Sequence, residues 1–249
     1  LINYFHLMYL STKMYKIFTL DLNQLKPIFN TQLSSRANVI NMLTNKEDSY
    51  LEIGVEYGQT FNDTHFTKKV GVDPDPKLTT NKELVVPLTS DKYFEQLSNN
   101  NNQMNKMFDV IFIDGMHQLE YFVNDLNNSV EHLSCNGSIF IDDILPFTYF
   151  EQLKVPINHH YDNNILKYDE FWTGDIWKVV YHVLNKYEHL IKGFHYFYHA
   201  NFRGIGKLQL TDNTTKLYIP KDEVATMNEY DYFIHYPLYL QKLHEYNKQ

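Results

Sequence analysis

An open, mostly parallel α/β sheet is the fold class that this 249-residue sequence predicts. Two observations lead to it. Short apolar strand patterns alternate with stretches of helical period, at intervals suited to strand–helix–strand units. One strand, Phe108–Ile113, is an almost unbroken apolar run, as expected where helices cover both faces of a sheet. Right-handed crossovers would put those helices on both sides.

The elements follow in order. Residues 1–48 read as a helical preface. Leu22, Leu25, Ile28, Phe29 and Leu33 recur at helical spacing around Pro27, and Arg36–Leu43 is a second short helix. Tyr50–Ile53 is a strand ending at Gly54, with Gln59–His65 opening a helix. Lys69–Val72 is the next strand, stopped by the turn Asp73-Pro74-Asp75-Pro76. Leu84–Val86 is the third, and Phe108–Ile113 the fourth. Leu119–Leu133 has helical character, and Asn136-Gly137 breaks the chain before the buried strand Ser138–Ile141. Beyond Pro146 the pattern weakens until the helix Asp175–Tyr187, whose Ile176, Val179, Val180, Val183 and Leu184 share a face. His195–His199 and Lys207–Leu210 are closing strands, and residues 212–249 form a Tyr-rich addition. With no internal repeat and no long linker, one domain with terminal extensions is expected.

Composition narrows the function. Hydrophobic residues make up 43%, which supplies a core and excludes wholesale disorder. The net charge of −8 disfavours a protein that wraps nucleic acid through phosphate contacts. A single cysteine, Cys135, excludes an internal disulfide framework and a cysteine-based zinc cluster, and suggests a reducing, cytoplasmic setting. Leu1–Leu10 is apolar but too short to span a bilayer, and no later stretch reads as a transmembrane helix.

The chemistry sits in the loops after the strands, where open α/β sheets bind ligands. Gly54 and Gly58 remove side-chain bulk beside the first strand end, while Glu52 could orient that loop or meet a cationic ligand. The spacing matches neither GxxxxGK[ST] nor GxGxxG, which argues against a phosphate loop and weakens a reading as an NAD site. Asp73 is placed to accept bonds from two ribose hydroxyls, or to cap its own turn. Ser90 and Asp91 stand where they contact a base or cap the next helix, with capping favoured. Asp114, with His117 three residues on, and the pair Asp142 and Asp143 end two strands that would be neighbours in one sheet. Three carboxylates of this kind can hold a hard divalent cation that lowers the pKa of a substrate hydroxyl, with His117 taking the proton. The bland alternatives are helix caps, amide-binding carboxylates and a surface histidine.

The stretches Tyr50–Gly58, Val70–Asp73, Phe108–His117 and Gly137–Asp143, taken in order, resemble class I S-adenosylmethionine-dependent methyltransferases over roughly residues 48–211. The segment Trp172-Thr173-Gly174-Asp175-Ile176-Trp177-Lys178 is similar to one in a small-substrate branch of that superfamily. The resemblance implies a Rossmann-like three-layer α/β/α sandwich whose seven-stranded, mostly parallel sheet has one antiparallel strand. It implies a domain over 49–211, an N-terminal helical extension over 1–48 and a C-terminal extension over 212–249. It further implies that Glu52, Gly54 and Gly58 receive the methionine part of S-adenosylmethionine, Asp73 the ribose, and Ser90 and Asp91 the adenine region. Similarity to metal-dependent O-methyltransferases gives Asp114, Asp142 and Asp143 as ligands of Mg²⁺, and Asp114 and His117 as the catalytic pair. His117 stands where catechol enzymes place a lysine. Asp143, in place of Asn, leans toward enzymes that modify sugars.

The implied activity is methyl transfer to a hydroxyl of a small polar acceptor. A metal-independent N- or O-methyltransferase and a non-catalytic protein-binding module stay open as alternatives. The aromatic-rich insertion 146–172 reads either as a lid and acceptor wall or as packing, and a homodimer is left open. His159 and His160 lack the spacing of a zinc site, and Trp177 reads as packing.

Overall fold

A computed structural model of the chain describes residues 33–99, 107–156, 171–199, 202–211 and 216–246, together with the backbone of 160–162 and 165–167. The helical reading of Leu22–Phe29 and the segment Leu1–Leu10 lie outside these residues, as do His159, Tyr168 and the side chains of His160 and Tyr161.

Helix α1 (Arg36–Met42) opens the described chain, with Ser35 as its N-cap: Ser35 Oγ accepts the N–H of Asn38 at 3.2 Å. Then come β1 (Ser49–Ile53), the short α2 (Gln59–Asp63), β2 (Lys68–Val72), β3 (Val85–Val86) and α3 (Ser90–Asn99). β4 (Phe108–Ile113), α4 (Leu119–Glu131) and β5 (Leu133–Ile141) form the next strand–helix–strand unit. A small hairpin of β6 (His160–Asp162) and β7 (Ile165–Lys167) precedes α5 (Ile176–Lys186). β8 (Ile191–His199) and β9 (Phe202–Leu210) form a closing ribbon, followed by α6 (Lys221–Ala225) and α7 (Asp231–Tyr246).

The main sheet has seven strands in the order β3-β2-β1-β4-β5-β9-β8. The first five run parallel, and β9 is antiparallel to both of its neighbours, β5 and β8. The mostly parallel core is the one the sequence pattern predicts, and the seven strands with one reversed are those the resemblance implies.

Strand residues alternate between two faces, as the period of two demands. Leu51, Ile53, Ile111, Ile113, Ile139 and Ile141 point to the layer holding α3, α4, α5 and α7. Tyr50, Val110, Phe112 and Phe140 point to the other, with Val39 and Ile40 of α1 and Phe61 of α2.

Several boundaries differ from expectation. The helix expected over Leu119–Leu133 ends at Glu131, and Leu133 already begins β5. Asn136-Gly137, read as a break before the strand, lies inside it. Asn136 takes φ +65°, and the pairing with β4 shifts from Phe108↔Leu133 to Val110↔Ser138, so a bulge absorbs the turn residues. Similarly, β8 begins at Ile191 rather than His195.

Candidate active site

The four expected loops leave one edge of the sheet. Backbone bonds continue the ladder past the strand ends: Gly54 N–H donates to Val72 O at 2.9 Å, Asp73 N–H to Val86 O at 3.2 Å, Asp114 N–H to Ile53 O at 2.8 Å and Asp142 N–H to Ile113 O at 3.0 Å. Asp73 and Asp114 therefore flank the Gly54 loop at the same carboxyl edge.

The glycines are demanded first by the protein itself. Gly54 has φ +87°, and a Cβ there would lie 1.9 Å from the carbonyl oxygen of Asp114. Gly58, at φ +75°, would press its Cβ to 2.8 Å from Leu78 Cβ. Both hold the loop's left-handed course, Gly54 against the end of β4 and Gly58 against Leu78 in the loop after β2.

Asp73 caps its surroundings with both oxygens. Oδ2 accepts the N–H of Glu56 at 2.8 Å and Oδ1 that of Asp75 at 2.7 Å. Each carboxylate oxygen keeps a further lone pair, so the group can still accept hydroxyl donors. Glu52 is buried at 1% exposure and accepts the Tyr50 hydroxyl at 2.5 Å. Burial pushes its carboxyl up to about 8, Asp114 adds to the rise, and the Tyr50 bond and the Lys69 charge oppose it. A buried Glu52 supports the loop from below. Ser90 and Asp91 open α3, but Thr89 Oγ1 accepts the Lys92 N–H at 3.4 Å and supplies the cap. Ser90 bonds instead to Asp125, a buried carboxyl pushed up to about 7 by burial, and Asp91 Oδ2 accepts from Asn124 at 3.5 Å.

At the ends of β4 and β5 the acids converge. Asp114, His117 and Asp143 each bring a ligand atom within 4.8 Å of the others. His117 Nε2 lies 3.3 Å from Asp114 Oδ1; Nδ1 lies 3.2 Å from Asp143 Oδ2 and 2.9 Å from Trp172 O. Burial works to lower the pKa of His117, but Asp143 and Asp114 together outweigh it and hold the ring's pKa at about 10. Asp143 sits at φ +53°. Asp142 lies within the cluster's field and is buried, yet its Oδ2 turns to Arg36 and its Oδ1 has no hydrogen-bond partner among the described residues. Burial and the neighbouring Asp143 and Asp114 raise its pKa well above the carboxylate range. Oxygen-rich donors with one imidazole, beside an orphaned buried oxygen, form a set that fits a hard divalent cation.

Arg36, on the first turn of α1, was not among the expected site residues. Its Nε bonds to Asp142 Oδ2, and Nη2 lies 3.7 Å from Asp143 Oδ1. No local pattern signals an ion pair that spans 106 positions.

The Trp172–Asp175 segment fixes His117. Gly174, at φ +59°, packs so tightly on the His117 carbonyl that a Cβ would stand 1.5 Å from its oxygen. Asp175 N–H donates to that carbonyl at 3.1 Å, and Asp175 Oδ1 accepts the Leu119 N–H at 2.7 Å, at the start of α4. The Trp172 indole donates to Leu153 O at 2.7 Å, and Glu151 O accepts the N–H groups of Thr173 and Gly174 at 3.0 Å each. The two flanks of the expected 146–172 insertion are thus tied together. Arg203 pairs with both oxygens of Glu151, at 3.0 and 3.1 Å, between the rings of Phe147 and Phe171. Tyr149 stacks on Phe233 of α7 at 4.8 Å, so this part of the insertion packs against the C-terminal helix.

A cavity of about 560 Å³ lies between Ser34–Ala37 and Tyr57–Asp63, floored by Phe202. It shares Gly58 with the expected cofactor loop and Arg36 with the acidic cluster, and its walls offer hydroxyl and amide groups.

Residues 51–144 match the family model of a methyltransferase domain. No curated protein sequence matches the chain. Among solved structures, an O-methyltransferase from Bacillus cereus in complex with SAH is 14% identical, aligned over 70% of this chain and 77% of that one, with a TM-score of 0.47. The Podospora anserina methyltransferase PaMTH1, SAH-bound, is 17% identical over 73% and 81%, with a TM-score of 0.45. MycE from the mycinamycin biosynthetic pathway, in complex with Mg, SAH and mycinamycin VI, is 13% identical over 73% of this chain and 50% of its own, with a TM-score of 0.42. The strand order and the one reversed strand make this a Rossmann-like α/β/α fold, and residues 51–144 within it are similar to a methyltransferase domain.

Proposed function

We propose that the chain transfers the methyl group of S-adenosylmethionine to a hydroxyl oxygen of a small polar acceptor of sugar type, assisted by Mg²⁺. The convergence of Asp114, His117 and Asp143 within 4.8 Å, inside or beside a segment that matches a methyltransferase domain, carries this reading. Asp73 would hold the donor's ribose hydroxyls. Gly54 and Gly58 would shape the loop along its methionine part, with Glu52 beneath, and Ser90 and Asp91 would border its base. Asp114, Asp142 and Asp143 would hold the ion. When bound, the donor supplies a methyl group on a cationic sulfur and the ion supplies positive charge beside the acceptor oxygen.

The protein's task is then alignment and proton removal. His117 is anchored through its backbone by Gly174 and Asp175, so its ring is held in place beside Asp114 and Asp143. Those two carboxylates keep it protonated in the ion-free chain. It can accept a proton once their charge is shared with a cation, which ties the base to the ion.

A second reading, transfer without metal, is favoured by Arg36, which already gives Asp142 and Asp143 a counter-charge. Titration calorimetry with S-adenosylmethionine tests the donor. Incubation with sugar and phenolic acceptors, read by a mass gain of about 14 Da for hydrogen replaced by methyl, tests the transfer. Transfer that stops on chelation and returns with Mg²⁺ is the expected result. Absent donor binding removes the methyltransferase reading, and transfer unchanged by chelation selects the metal-independent one.

A further inference from the structure

We propose that Arg36 is a built-in counter-ion of the acidic cluster, which competes with a divalent cation for Asp142 and Asp143 and weakens its binding. The proposal rests on the metal-assisted reading above and adds a residue that sets how tightly the ion is held.

The geometry is specific. Asp142 and Asp143 directly follow β5, and both are buried. The guanidinium reaches them from the first turn of α1, with Nε on Asp142 Oδ2 and Nη2 3.7 Å from Asp143 Oδ1. Arg36 is the cation that meets both acids from α1, while His117 meets Asp143 from the β4 side. A carboxylate lone pair directed at a guanidinium is not available to a metal ion, and two cations at one small site repel one another. An ion at the cluster would therefore compete with Arg36 for the charge of Asp142 and Asp143, and the side chain has room to move off them: it also lines the 560 Å³ cavity and is 29% exposed.

Helix α1 does not depend on this ion pair to stay docked. Val39 and Ile40 are fully buried in the core layer it shares with Phe61 and Phe112. Asn41 Nδ2 donates to Asp63 O at 3.0 Å, and Asn41 Oδ1 accepts the His65 N–H at 3.0 Å. The arginine can thus be exchanged while its helix holds.

Mn²⁺ binding to the full chain, followed by calorimetry and by electron paramagnetic resonance of free Mn²⁺, tests this without any turnover. Arg36→Gln should bind Mn²⁺ at least about tenfold more tightly than the parent, because a full charge at near-contact distance is removed. Arg36→Lys, which keeps the charge, should stay within about threefold of the parent. Equal or weaker binding by Arg36→Gln overturns the proposal while leaving a metal site intact. Absence of Mn²⁺ binding in parent and variants alike overturns the metal reading and the proposal with it.

Discussion

At the scale of single residues, the site combines groups that favour function with groups that cost stability. Glu52 shows the conflict. Its pKa of about 8 in the folded protein exceeds its ordinary value of 4.5, so the unfolded chain loses its proton first. Stability is then unaffected by Glu52 below about pH 4.5 and is progressively lost between pH 4.5 and 8 as the buried group resists ionising. Glu52→Gln keeps an acceptor for the Tyr50 hydroxyl and removes that loss. The variant should be more stable than the parent by more than about 1 kcal/mol at pH 8, with little difference at pH 4.5, as read from urea unfolding at both pH values. A difference that does not grow with pH contradicts a neutral, buried Glu52. His117 carries the opposite expectation, for activity. His117→Gln should lower kcat about 10²-fold while leaving donor affinity within about twofold, in steady-state assays paired with calorimetry. An unchanged kcat removes it as the base. The strand-end positions of Asp114, Asp142 and Asp143 were legible in the sequence because each lies just beyond a strongly apolar strand. Arg36 was not, since only tertiary packing brings it to them.

Elements were legible where one period dominated. The run Phe108–Ile113 and the amphipathic Ile176–Lys186 lie where the apolar patterns put them, since burial on both faces or along one stripe leaves an unmistakable spacing. Legibility failed where turn chemistry lies inside an element. Asn136-Gly137 is a normal turn signal, but the pairing of Leu133 with Phe108 extends β5 across it. The contact between the insertion and the C-terminal helix was also hidden, because a helix interrupted by Pro237 and rich in Tyr has a weak pattern of its own. That helix supports the acidic strand end through two hydroxyls. Tyr239 donates to Ile144 O at 3.0 Å and Tyr236 to Pro146 O at 2.6 Å, both buried, directly after Asp142 and Asp143. Trp177 of α5 is fully buried among the same rings, 5.0 Å from Tyr236, and its indole finds Gln152 at 3.4 Å. Tyr239→Phe strands a buried carbonyl and should cost about 1–3 kcal/mol, measured by urea unfolding. A shift under a few tenths of a kcal/mol would mean that water or a local movement replaces the bond.

For the whole molecule, the question is whether residues beyond 211 are an appendage or part of the fold. Among the described residues no helix is long and apolar enough to cross a membrane. The sheet's α3–α4–α5 layer is closed by the C-terminal segment. Leu217, Ile219, Val224 and Leu243 are all buried there, together with Tyr232, Tyr236, Tyr239 and Tyr246. Burying one aliphatic side chain contributes roughly 1.5–3 kcal/mol, so these four alone contribute roughly 6–12 kcal/mol. That is comparable to the entire stability of an ordinary domain, about 5–15 kcal/mol. A chain ended after Thr211 would also expose the face of Trp177 that Tyr236 and Tyr239 cover. The truncated chain should therefore show no cooperative thermal transition and a red-shifted tryptophan emission at 25 °C, under conditions where the full chain melts cooperatively. Retention of a cooperative transition would show that the strands and α5 form a self-sufficient core. The loss of that transition would place the C-terminal helix among the supports of the acidic site, since the carbonyls it holds belong to the residues that carry Asp142 and Asp143 out of the sheet.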